Sequence, residues 1–185
     1  MTTPDGAWYL GIGDPTPIGW LTVVAYFAAA WGCWTVFANT RSSQGTRSAA
    51  RFWLLLVVAL GALGINKQLD LQTALAEIGR VLAHYGGWYE RRHDVQIYFV
   101  VAVGVSGALA LAALIWLLWP PSTGRALALS GLTFLLSFVV IRATSFHHVD
   151  VFLSQTALGL KWNWILELLG IGLVGAGAII ERRTN

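Results

Sequence analysis

The sequence predicts an all-α integral membrane protein: a single domain of five transmembrane helices, the second extended beyond the bilayer on the outer side. Three observations predict it. First, 56% of the 185 residues are apolar and only 11% are charged, against about 25% charged in a soluble domain. Mean hydropathy is +0.63. Too few charges exist to cover a water-exposed globule, and a disordered chain is poor in apolar residues. Second, the apolar residues gather into five stretches. Third, polar residues recur at helical spacing just beyond the second stretch.

Other classes fall away on composition. A single cysteine, Cys33, excludes a disulfide scaffold. The pI is near 9.4, but the net charge is only +3 and no basic patch accompanies soluble structure, so nucleic acid is not expected as a partner. The first 17 residues hold Asp5 and Asp14 and no Lys or Arg, the reverse of a basic leader, so no secretory signal is expected.

The spans are expected at 18–38, 51–71, 97–119, 125–145 and 162–181. Ile18 to Ala38 and Ile97 to Trp119 carry no charge, and the latter stops at Pro120-Pro121. A helix needs roughly 20 residues to cross a hydrocarbon core. The uncharged runs Phe52–Ile65, Ala126–Ile141 and Trp164–Ile180 (interrupted by Glu167) are shorter, so those three spans must take ionisable residues with them.

Five spans place the termini on opposite sides. Arg41, Arg47, Arg51, Arg125, Arg182 and Arg183 share one side with Glu181 as its only acid; the other six cations lie on the opposite side or within the bilayer. Once Lys67 and Arg142 are assigned to the bilayer the tally is six against four, and the arginines of the first side lie in short loops. The positive-inside rule then puts the N-terminus outside and the C-terminus in the cytoplasm, in a plasma or bacterial-type inner membrane. Trp31, Trp34, Trp53, Trp116 and Trp119 fall at the predicted cytoplasmic boundary, and Trp20, Trp162 and Trp164 at the other, as aromatic belts do.

Small residues are expected to pack the helices: Gly104, Ala108 and Ala112 on the third span, and Gly170, Gly172, Gly175 and Gly177 on the fifth. Gly170–Gly175 also spells GxGxxG. Inside an apolar span and after no strand, it is not a dinucleotide fingerprint.

The chemistry should lie where the ionisable residues converge. Counting from the inner rims, Arg51 to Asn66 is 15 residues, about 22 Å of helix; Arg125 to Arg142 is 17, about 26 Å; Glu181 to Glu167 is 14, about 21 Å. Lys67, Asp70, Arg142 and Glu167 thereby reach one outer level. Unpaired charge at depth is costly, so these four are expected to face the bundle and pair, forming a site. The alternative is that all four are headgroup anchors. Tyr26, Thr22 and Asn163 would complete the lining if they do more than pack. Cys33 is expected to pack as a small apolar residue.

Asn66, Asp70, Thr73, Glu77, Arg80 and His84 follow at steps of three and four, on one face of a helix running outward to Gly86-Gly87. That face is either a solvated one or a wall of the same vestibule. The fourth span ends in Arg142-Ala143-Thr144-Ser145-Phe146-His147-His148-Val149-Asp150. His147 or His148 with Asp150, His84, Glu77 or Asp70 is a metal-ligand set by chemistry. Adjacent helical histidines point about 100° apart, and no HExxH or CxxC spacing occurs, so the signal is weak. A helix-end pair without a ligand role is the competing reading.

Two functions follow. In the first, the chain is an enzyme acting on a lipid-like or quinone-like substrate. His147, His148, Asp70 and Glu167 are then the catalytic residues, Lys67, Arg142, Asn66 and Ser145 hold the substrate, and a transition metal or haem is the cofactor. In the second, the chain is a non-catalytic accessory subunit or binding module whose partners are membrane lipid and other membrane subunits. A proton or ion path ranks last, because the cytoplasmic half of the spans carries no ionisable residue.

Overall fold

The computed structural model describes residues 13–42, 46–69, 105, 112, 121–143, 156, 157 and 160–184, with the side chains of the fourth predicted span described as far as Val140. Four helices dominate: α1 (Pro17–Ser42), α2 (Arg47–Leu69), α3 (Thr123–Ala143) and α4 (Trp162–Thr184). All four are long and apolar enough to cross a membrane. A short antiparallel pair, β1 (Thr156–Ala157) and β2 (Leu160–Lys161), precedes α4. The expected spans at 18–38, 51–71, 125–145 and 162–181 correspond to α1–α4. The expected span at 97–119 and the outward extension of the second helix lie outside the described residues.

Capping explains three of the helix starts. Thr16 precedes Pro17: its hydroxyl accepts from Gly19 N–H at 3.0 Å and its carbonyl from Trp20 N–H at 3.1 Å. Thr46 does the same for α2, with Ala49 at 3.4 Å and Ala50 at 3.2 Å. Ser122 does so for α3, with Arg125 at 3.3 Å and Ala126 at 2.9 Å. Each hydroxyl satisfies a backbone donor that the first turn leaves without a partner. These caps start α2 four residues, and α3 two residues, before the expected boundaries.

The neighbours run α2, α1, α4, α3: α1 packs on α2 and α4, and α4 on α3. Tyr26, Cys33, Val36, Phe52, Trp53, Leu56, Leu60, Leu135 and Val174 form the dry centre. Cys33 packs there as expected. Trp53 does not join the belt at the membrane boundary; it is fully buried, edge-on to Phe52 at 5.2 Å. It lies one position from Phe52 and three from Leu56, on the face that α2 turns to the core, whereas Trp31 and Trp34 point outward.

Glycine sets the α3–α4 register. A Cβ on Gly131 would stand 2.8 Å from Gly170 O, and one on Gly177 2.7 Å from Ala128 N. The pairs 124/177 and 131/170 repeat at seven residues on both helices, and the backbones meet there. Gly172 and Gly175 meet no other element among the described residues, so of the four glycines expected to pack on the fifth span only Gly170 and Gly177 are in the α3–α4 contact.

Candidate functional site

At the end of the bundle where α1 begins and α2 finishes, three charged side chains meet. Lys67 Nζ donates to Glu167 Oε2 at 2.7 Å and lies 3.6 Å from Asp14 Oδ2. Tyr26 OH donates to Glu167 Oε1 at 3.0 Å. Trp164 Nε1 donates to Asp14 Oδ2 at 3.0 Å. The Thr16 hydroxyl donates to Asp14 Oδ1 at 2.6 Å. Side-chain exposure is 2% for Lys67, 6% for Glu167 and 18% for Asp14, so the centre is closed to solvent on the side of the core.

Each element places its residue for a local reason. Lys67 is in the last turn of α2 and Glu167 in the second turn of α4, and α1 stands between those helices, carrying Tyr26 to both. Gly64 permits the approach, since a Cβ there would lie 3.1 Å from Tyr26 Cβ. Asp14 is carried in by the segment before α1. Gly13 N–H donates to Gln68 O at 2.6 Å, and the Gln68 amide brackets Asp14 through its backbone N–H and carbonyl, both at 3.3 Å. Gly19 leaves room for the turn, because a Cβ there would lie 2.6 Å from Asp14 O.

The electrostatics follow. Burial by itself raises the Asp14 carboxyl's pKa; hydrogen bonds from Thr16 and Trp164 and the charge of Lys67 outweigh it and hold the group below its ordinary value. Formal charge in the centre is one cation against two anions. Lys67 is engaged by two carboxylates and acts as their counter-ion.

Of the expected cluster, Lys67 and Glu167 are brought together and buried within the bundle. Asp70 lies outside the described residues, as do Glu77, His84, Ser145, His147, His148 and Asp150. The Arg142 side chain is also outside them, but its backbone belongs to α3. The glycine contacts pair 131 with 170 and 174, and 170 with 135, so Glu167 faces the 134–138 turn of α3 and residue 142 lies one to two turns, about 6–12 Å, further along that helix. Asn66 is half-buried beside Lys67 in sequence. Thr22 bonds back to Ile18 O at 2.9 Å within its own helix. Asn163 Oδ1 is buried without a hydrogen-bond partner among the described residues.

Sequence reasoning left Asp14 out of the cluster and gave Trp164 a place in the aromatic belt alone. The string Asp14-Pro15-Thr16-Pro17 held the signal: a Thr cap before Pro marks a helix start, and an acid two residues earlier must lie at the helix end. A second ionic contact closes the opposite end. Glu181, the only acid expected on the arginine-rich side, is buried; it accepts from the Ser122 hydroxyl, and Arg125 Nε lies 3.3 Å from its Oε1. Among the described residues no three of His, Cys, Asp and Glu gather as a metal site would require.

Compared with protein-family models, with curated proteins and with solved structures, the chain finds no match in any of the three. Its function is therefore argued from the site alone.

Proposed function

We propose that the chain is a five-span membrane protein, N-terminus outside and C-terminus cytoplasmic, with a ligand site at the extracytoplasmic face whose floor is the Lys67–Glu167–Asp14 centre. The observation that carries this reading is the closed ion triad at one end of the bundle. Charge is costly at membrane depth, and a chain retains it where it binds, reacts or locks a structure. The end of the bundle that holds the triad is also the one from which residues 70–96 and 144–155 leave the helices, and those segments carry the histidines. The ligand class is a lipid-like or quinone-like molecule, its apolar part in the bilayer and its polar head over the floor. In the catalytic form of this reading His147, His148 and His84, with Asp150, Glu77 and Asp70, supply acid/base groups or hold a transition metal or haem, and Arg142 and Ser145 receive an anionic head.

A specific observation favours a second reading, the accessory subunit. Glu167 accepts from both Lys67 and Tyr26, and Asp14 from both Thr16 and Trp164. A triad so satisfied serves as a lock that holds the N-terminal segment across α2 and α4.

Metal analysis and an absorption spectrum of the purified full chain separate the two. Stoichiometric metal or haem lost in His147→Ala/His148→Ala supports the enzyme. Neither group, together with a stoichiometric co-purifying membrane subunit, supports the accessory role. Orientation is tested separately. Cys33 is the sole cysteine, so Cys33→Ala provides a blank background. An impermeant maleimide applied to intact cells should label Lys161→Cys and spare Ser42→Cys; the reverse pattern overturns the orientation.

A further inference from the structure

We infer that α2 carries a binding site for an anionic phospholipid, with Arg51 as the headgroup contact and a groove above it as the acyl-chain seat. The inference rests on membrane embedding and on nothing at the opposite end of the bundle. An open hollow of about 400 Å³ lies along the outer face of α2, lined by Arg51, Leu54, Leu55, Val58 and Ala59. From Arg51 to Ala59 is eight residues, about 12 Å of helix, so the groove runs up two turns with a cation at its mouth. Leu54, Leu55 and Val58 are exposed, while Phe52, Trp53, Leu56 and Leu60 on the other face of α2 are spent on the core.

At the same end of the bundle Arg125 is engaged by Glu181. Among the described residues Arg51 has no acid. An apolar trough in a membrane helix fills with hydrocarbon, because water there would find almost no polar partner. A guanidinium at the rim accepts a phosphate through paired N–H bonds. The occupant that satisfies both is one molecule with a phosphate anion and a long chain, and basic pockets at membrane helices bind such lipids.

The test is native mass spectrometry of the full chain released from nanodiscs of mixed phosphatidylglycerol and phosphatidylcholine. Wild type should retain phosphatidylglycerol preferentially. Arg51→Gln should retain it roughly tenfold less, Arg51→Lys should keep part of the preference, and Val58→Trp should lower retention of both lipids by filling the seat. Both positions are exposed, and an unchanged melting temperature checks that the fold is intact. Equal retention by wild type and Arg51→Gln overturns the proposal. So does efficient disulfide formation, in the Cys33→Ala background, between Val58→Cys and a cysteine placed in 97–119, which would show the groove covered by the chain itself.

Discussion

Lys67 and Glu167, one hundred residues apart in the chain, meet at 2.7 Å in the interior of the bundle. Neither has another place to go. Lys67 is two residues from the end of α2 with Tyr26 of α1 beside it, and Glu167 looks back across the same tyrosine. Their contact ties α2 to α4, which are separated by α1 in the order of packing.

Breaking that pair leaves a buried charge without its partner, at a cost of about 3–5 kcal/mol. Lys67→Met and Glu167→Leu should each lower the melting temperature of the purified protein strongly. The double variant should lose less than the sum of the two, with a coupling of about 1–3 kcal/mol. Additive losses would mean that the two groups do not act on each other.

Tyr26→Phe isolates one hydrogen bond. The ring keeps its packing over Gly64, and Glu167 loses a donor. A bond to a charged acceptor contributes about 1.5–3 kcal/mol, so thermal or denaturant unfolding should show a loss of that order. It should shrink in a Glu167→Leu background, where no acceptor remains.

Asp14 makes stability depend on acid. Its carboxyl titrates lower in the folded protein than its ordinary 3.8. The unfolded chain therefore takes up its proton first as the pH falls, and the stabilisation, complete above the ordinary value, disappears as the pH drops through the lowered one. Melting temperature measured at falling pH should decline over that acid limb, and Asp14→Asn should flatten part of the decline while lowering stability at neutral pH. A limb unchanged by Asp14→Asn would detach the effect from this residue.

Two pairs of glycines in α4 should answer alanine oppositely. Gly177→Ala would set a methyl 2.7 Å from Ala128 N, and Gly170→Ala one 2.7 Å from Leu135 Cδ2. Gly177→Ala, facing backbone, should force α3 and α4 apart and cost roughly 1–3 kcal/mol. Gly170→Ala, facing a side chain that can turn, should cost less. Gly172→Ala and Gly175→Ala meet nothing within 4 Å among the described residues and should be neutral or gain up to about 1 kcal/mol of helix propensity. Differential scanning of the four variants checks the ranking.

The membrane class and the helices α1, α2, α3 and α4 were legible in the chain, because hydrocarbon thickness and helical rise demand long apolar runs that composition alone reveals. So was the need of Lys67 and Glu167 for partners, since neither can remain alone at depth. Tyr26 was legible as a lining candidate, although no local pattern set it apart from an ordinary packed tyrosine. What counting along separate helices could not supply was their relative height. That height depends on which glycines touch, and the contacts of Gly131 and Gly170 set α3 so that residue 142 stands one to two turns beyond Glu167. Nor could counting bring in Asp14, whose position depends on a turn before α1 and on Gln68 at the end of α2. Sequence by itself determined that this is a membrane-helix protein with charge it must compensate internally. Only the tertiary structure decided which groups compensate it, because helical periodicity specifies a face and a distance along one axis, whereas pairing depends on how neighbouring axes are offset.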